Sequence, residues 1–160
     1  MKSLTVDELK KKLARYCAWR ERCSTEAEEK LIALGAGKKH IAEVLKWLVE
    51  ENYLNDERFA IAFASGKFNY NRWGNFRIAG ELAKRGIERK LIDKALSSIE
   101  PQAYQKTANM LAQKKYSEVK DDNFHSKKQK TAAYLVSKGF ETEIAWKAVN
   151  TINHEQPESE

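Results

Sequence analysis

The chain has 160 residues, of which 42% are hydrophobic and 32% charged, with only 7 Gly and 2 Pro. That balance is too apolar for a disordered chain and too poor in turn residues for a many-stranded sheet, so an all-α protein is expected. Lys and Arg number 29 against 23 Asp and Glu, a formal charge of +6, which favours phosphates or an acidic protein surface as partners.

No apolar run approaches the roughly 18 residues needed to span a bilayer. Charge follows soon after Met1-Lys2-Ser3-Leu4 where a signal peptide would carry its apolar core. A cytoplasmic protein without membrane contact is therefore expected. The first helix-like segment is Val6 to Trp19, opened by Thr5-Val6-Asp7-Glu8, the spacing of a capping box. Cys17 and Cys23 have no further Cys or His at ligand spacing, so they are read as reduced, partly buried thiols and not as metal ligands.

Farther on, Leu31, Gly35 and the stripe Ile41, Val44, Leu45, Leu48 outline two helices around a turn. The turn Gly35-Ala36-Gly37-Lys38-Lys39 lacks the spacing, the Ser/Thr and the preceding strand of a phosphate loop. Asn55 is placed to cap a helix from Asp56 to Phe68, with Phe59 and Phe63 packing inward. Arg77 to Gly86 and the segment up to Ile99 give the next pair of helices. Gly80 sits inside the first of them, where it costs about 1 kcal/mol against Ala; close approach of a neighbour or a tolerated imperfection would each account for it. Pro101 suits the first turn of a helix running to Lys115, and Ser126-Lys127-Lys128-Gln129 fits a second capping box.

The most informative feature is an internal repeat. Arg77 to Ile99 aligns without a gap on Lys130 to Ile152, with Leu82 over Leu135, Gly86 over Gly139, Ile87 over Phe140 and Ala95 over Ala148, an offset of 53 residues. In each copy a helix ends at the glycine, which adopts the left-handed cap cheaply. The next helix carries the stripe Leu91, Ile92, Ala95, Leu96, Ile99 or Ile144, Ala145, Ala148, Val149, Ile152. The segment around Leu31 and Gly35 is a weaker third copy. The reading is thus of tandem three-helix repeats in an elongated, curved, solenoid-like array. Its units are 1–54, 55–100 and 101–153, with an acidic disordered tail at 154–160. Leu31, Leu45, Leu48, Leu82, Leu91, Ala95, Leu96, Leu135, Ile144 and Ala148 are expected to be buried. The tryptophans Trp19, Trp47, Trp73 and Trp146 are expected in core or inter-repeat packing.

The combination of Asn52-Tyr53-Leu54-Asn55-Asp56-Glu57-Arg58-Phe59-Ala60, Arg72-Trp73-Gly74, Glu81-Leu82, Arg85-Gly86-Ile87 and Lys138-Gly139-Phe140 resembles the RecX family. The resemblance extends from Tyr16-Cys17 to about Ile152. It implies an all-α protein of tandem three-helix repeats that binds within the RecA recombinase filament and inhibits or modulates it, with no catalytic constellation to transfer. The Asp56 to Ala60 stretch matches the family signature, and its residues read as a helix start with a structural role.

Nothing in the residues argues for an enzyme. His40, His125 and His154 are scattered, and none faces a nucleophile or carboxylate at helical spacing. No cofactor or metal is expected. Basic residues mark the candidate contact surface: Arg72, then Arg77, Lys84 and Arg85 around Glu81, and Lys127, Lys130, Tyr134 and Lys138 at helical spacing. Arg77 lies over Lys130 and Arg85 over Lys138, as a continuous binding strip would require. Tyr134 is either an interface ring among lysines or a packing residue against the next helix. The partner expected is the RecA filament, bound by a monomer. The rival reading is a basic helical module that binds single- or double-stranded DNA and competes with the recombinase for it.

Overall fold

The structure is a computed structural model and describes residues 3–152. The acidic tail expected at 154–160 lies outside the described residues. Among the described residues there are helices and no strands. They run α1 Val6–Trp19, α2 Ser24–Ala33, α3 Lys38–Glu50, α4 Asp56–Gly66, α5 Asn75–Lys84, α6 Arg89–Ser97, α7 Pro101–Glu118, α8 Phe124–Ser137 and α9 Thr142–Ile152. A π turn, Lys67–Asn71, follows α4 and ends at Arg72, whose backbone is left-handed at φ 54°.

Local chemistry explains where the helices start. Thr5 caps α1 by accepting from the Glu8 amide at 3.2 Å, Asn55 accepts from the Arg58 amide at 2.9 Å, and Pro101 occupies the first turn of α7. The capping box expected at Ser126 is displaced. Asn123 is the cap, its side chain accepting from the Ser126 amide at 3.0 Å, so α8 begins three residues earlier, at Phe124. At α2 the cap is Cys23, whose amide donates to the Glu26 carboxylate at 3.3 Å and whose thiol does so at 3.4 Å.

Local chemistry also explains the three glycine turns. Gly35, Gly86 and Gly139 have φ of 84°, 74° and 102°. In each, the amide of the residue after the glycine donates five residues back: Ala36 to Leu31 O at 3.0 Å, Ile87 to Leu82 O at 3.2 Å and Phe140 to Leu135 O at 3.1 Å. This closes the last turn of α2, α5 and α8 in the Schellman manner, and the three accepting leucines are completely buried. The repeat seen in sequence is therefore a repeat of hydrogen bonding as well as of apolar positions.

The chain forms two compact units, one running to Phe63 with Leu82–Ala95, the other comprising Ala64–Glu81 and the chain from Leu96 onward. The division falls within α4, α5 and α6. In the first unit α1, α2 and α3 pack together around Leu9, Leu13, Cys17, Ala27, Leu31, Val44, Leu48 and Leu54. The family-signature stretch ties this unit together. Asp56 accepts from the Ser24 amide at 2.8 Å and hydroxyl at 3.1 Å. Arg58 donates to Glu21 at 2.7 Å and to the Asn52 and Tyr53 carbonyls at the left-handed turn of Asn52. Phe59 and Ala60 are buried, and Phe59 meets the Phe63 ring at 5.7 Å.

In the second unit α7, α8 and α9 pack on one another. The buried line of α7, Tyr104, Ala108, Ala112 and Tyr116, is spaced every fourth residue, and the α9 helix that packs against α7 buries Ala145, Ala148 and Val149. Small residues at the centre let the helices approach closely. Six of the ten residues expected in the core are buried: Leu31, Leu48, Leu82, Ala95, Leu135 and Ala148. Leu45, Leu91, Leu96 and Ile144 are only half-buried, because they lie on the edges of their helical stripes. Trp19 overturns its assignment to the core at 81% exposed. The buried line of α1 is Leu9, Leu13 and Cys17, and two residues beyond Cys17 the helix has turned by about 200°. Trp47, Trp73 and Trp146 are half-buried.

Candidate basic surface

The second unit brings together Arg72, Arg77, Tyr134 and Lys138 of the expected contact residues. The left-handed turn at Arg72 puts the end of the π turn beside the α8 cap, where Lys138 Nζ donates to the Asn71 carbonyl at 2.9 Å. Arg77, on the first turn of α5, lays its guanidinium over the Trp73 ring at 4.3 Å, and Lys67 Nζ lies 4.9 Å from the same ring. Partial burial lowers the pKa of Lys138, and the charges of Arg77 and Arg72 lower it further. Arg72, Arg77 and Lys138 thus stand close enough for their charges to act on one another.

Beside this cluster is a cavity of about 220 Å³ lined by Arg72, Lys114, Lys115, Glu118, Tyr134 and Lys138. Lys115 Nζ sits 4.7 Å from the Tyr134 ring, so Tyr134 is half-buried and also forms part of a basic wall. Lys114 and Lys115 escaped sequence reasoning because α7 lies outside the aligned repeat. The run Lys114-Lys115, with Lys114 exposed and Lys115 at the edge of the buried line of α7, is the signal that could have found them.

Lys127 and Lys130 lie nearer the start of α8. Lys127 Nζ is 4.3 Å from the Tyr116 ring. Lys130 pairs with Asp121 at 2.9 Å. Asp121 also accepts from the Ser126 hydroxyl at 2.6 Å and the Asn123 amide at 2.9 Å. The Ser126, Lys130 and Asn123 hydrogen bonds hold its carboxyl well below the usual carboxylate range. Lys84 and Arg85 belong to the first unit. There the Arg85 guanidinium covers the Phe63 ring at 4.7 Å, and its carbonyl accepts from the Thr25 hydroxyl at 2.8 Å.

Both cysteines are free and buried, and burial pushes the Cys23 thiol up to about 11, which disfavours the thiolate. Among the described residues no group of three or more His, Cys, Asp or Glu could hold a metal ion. No described helix is long and apolar enough to cross a membrane.

Two family models match the chain: "RecX, second three-helix domain" over residues 55–96 and "RecX, third three-helix domain" over residues 102–149. The chain is 27% identical over 144 residues to the regulatory protein RecX of Bacillus cytotoxicus, covering 90% of this chain and 53% of that protein. It is 35% identical over 122 residues to the regulatory protein RecX of Caldanaerobacter subterraneus, covering 76% and 59%. The chain thus spans between half and three-fifths of the length of these relatives. Its fold is similar to the crystal structure of RecX from Lactobacillus salivarius, with a TM-score of 0.86 at 22% identity, covering 93% of this chain and 97% of that one. A second crystal structure, of regulatory protein RecX, gives a TM-score of 0.79 at 21% identity, covering 91% and 73%.

Proposed function

The chain belongs to the RecX family, and on that premise we propose that it is a regulator that docks on the RecA recombinase filament and lowers its ATPase and strand-exchange activity. It acts by binding and not by turnover, as a cytoplasmic monomer without a cofactor. The observation that carries the reading is the convergence of Arg72, Arg77 and Lys138 around Trp73 and Tyr134 in the second unit. Cations backed by aromatic rings suit an interface, because the rings add apolar area at little entropic cost and the charges steer encounter with an acidic partner.

Direct binding of DNA is a second reading, favoured by the gathering of Arg72, Arg77 and Lys138 with Lys114 and Lys115, since clustered cations suit phosphates. The experiment that tests the first reading measures DNA-dependent ATP hydrolysis and strand exchange by RecA as this protein is added. Suppression at near-stoichiometric or lower ratios is the expected result; a recombinase unaffected over a wide concentration range refutes it. Repeating the binding measurement on bare DNA and on assembled filament across a salt series separates the readings. Phosphate-dominated binding falls steeply with salt, whereas a mixed protein interface falls less.

A further inference from the structure

The first unit carries a different aromatic and basic surface, made of none of the residues of the candidate basic surface. Trp19, the last residue of α1, is 81% exposed. Beside it the Arg22 guanidinium is buried at 7% exposure. It lies 3.8 Å from the Tyr16 ring centroid and 5.7 Å from that of Trp19. Its Nε donates to the Tyr16 carbonyl at 3.0 Å, and its Nη1 stands 3.8 Å from Glu26. Lys30 Nζ is 5.5 Å from the Tyr16 ring centroid. A groove of about 410 Å³ is lined by Lys12, Arg15, Tyr16, Trp19, Arg22 and Lys30, together with an aliphatic residue, and by no acid. Glu26, the carboxylate nearest Arg22, is engaged by Arg20 at 2.7 Å.

Each part has a consequence. An indole left this exposed offers a flat apolar face to solvent. Arg22 is fixed by its hydrogen bond and by stacking on Tyr16, so the floor next to the indole is rigid and cationic. Lys12 and Arg15 are exposed and Lys30 is half-buried, which puts three further cations around the groove. An indole for a base and surrounding cations for phosphates is the combination that holds an unpaired strand. In a duplex the bases are already stacked and their faces are closed to a side chain.

We infer that the first unit binds single-stranded nucleic acid, with a base stacked on Trp19 and neighbouring phosphates paired with Lys12, Arg15 and Lys30. The inference stands independently of the recombinase reading, since it concerns the isolated chain and a different surface.

The probe is a fluorescently labelled oligothymidylate, titrated with the full chain and followed by anisotropy. Trp19→Ala is expected to weaken binding by about tenfold, the usual worth of one base–aromatic stack, while Trp19→Phe retains most of the affinity. Both variants should keep the parent melting temperature, because the side chain is exposed. With an abasic oligomer of equal length, the parent and Trp19→Ala should bind alike. Arg15→Glu with Lys30→Glu should weaken both oligomers and flatten the salt dependence, by about 0.7 in slope for each phosphate that no longer meets a cation. An Arg72→Glu, Arg77→Glu variant, altered only in the second unit, should preserve the Trp19 effect. The inference is overturned if the parent fails to bind the oligomer or if Trp19→Ala binds it as tightly as the parent. It is likewise overturned if polyglutamate competes as well as the oligomer does, which would identify an acidic protein segment as the occupant.

Discussion

Gly74 and Gly139 lie backbone against backbone in the second unit. The Gly74 amide donates to the carbonyl of Lys138 at 2.9 Å, and the Phe76 amide donates to that of Gly139 at 2.9 Å. A Cβ at 74 would run into the Gly139 carbonyl carbon and the Phe140 nitrogen, and a Cβ at 139 would come within 2.6 Å of Arg77 Cβ. The contact joins the Arg72-Trp73-Gly74 and Lys138-Gly139-Phe140 motifs and places Arg77 next to Lys138.

Gly74→Ala is accordingly expected to destabilise the protein by about 1–3 kcal/mol or more, since rigid backbone has to give way. Chemical denaturation measures this. A loss under about 0.5 kcal/mol, the range of ordinary surface changes, would mean that the two turns do not hold this close approach.

Gly80→Ala should act in the opposite sense. Nothing lies within 4 Å of a Cβ built there, and the residue is exposed within α5. Close approach by a neighbour is therefore excluded, and the glycine is a tolerated imperfection. Alanine should stabilise by about 0.5–1 kcal/mol through helix propensity and the entropy of the unfolded chain. A lower melting temperature would contradict this account.

These two glycines show which features could be read from the residues alone. Gly35, Gly86 and Gly139 were legible because a left-handed helix end has one cheap residue and recurs at a fixed place in the repeat. Gly74 was not, because its constraint comes from a backbone distant in sequence. The stripes of the repeat gave the helices, yet Leu91, Leu96 and Ile144 are half-exposed, since periodicity identifies a face without saying how wide a neighbour covers it. Trp19 is exposed because its angle on α1, away from the line of Leu9, Leu13 and Cys17, and not its hydrophobicity, decides its burial. At the basic surface the charges on α5 and α8 could be listed from spacing. That Arg72, Arg77 and Lys138 meet, and that Lys130 is engaged by Asp121, depends on turns that only the fold supplies.

Tyr104 gives a prediction in pH. Its hydroxyl donates to Glu141 and accepts from the Asn75 amide at 2.9 Å, while the Asn75 side chain donates to Glu141 at 3.2 Å. Burial raises the phenol's pKa well above its usual range, and the hydrogen bond to Glu141 raises it further. With the folded value above the unfolded value of about 10, the folded state holds the proton more tightly. This contribution to stability is fully present below about pH 10 and is lost as pH rises toward the folded value. Tyr104→Phe should flatten that alkaline limb and cost about 1–3 kcal/mol at neutral pH, because it strands a carboxylate oxygen and an amide. Denaturation at a series of pH values tests both; an unchanged alkaline slope in the variant would remove Tyr104 from the account.

The contact surface can be divided by charge reversal, because the expected residues fall into two units. Arg72→Glu with Arg77→Glu alters the second unit, and Lys84→Glu with Arg85→Glu alters the first. Arg72, Arg77 and Lys84 are exposed, and Arg85 is half-buried with its carbonyl bond to Thr25 independent of the side chain. Surface substitutions of this kind typically change stability by about 0.5 kcal/mol or less, to which Arg77 and Arg85 each add about 0.5–1 kcal/mol for their stacks on Trp73 and Phe63. Circular dichroism and melting should therefore stay close to the parent. Half-maximal inhibition of RecA should shift by at least about tenfold in the Arg72, Arg77 variant, which corresponds to about 1.4 kcal/mol and is modest for like charges juxtaposed at an interface. If only the Lys84, Arg85 variant loses inhibition, the filament is held by the first unit, and the convergence at Lys138 serves the fold. If both pairs inhibit as the parent does, neither basic face makes the contact.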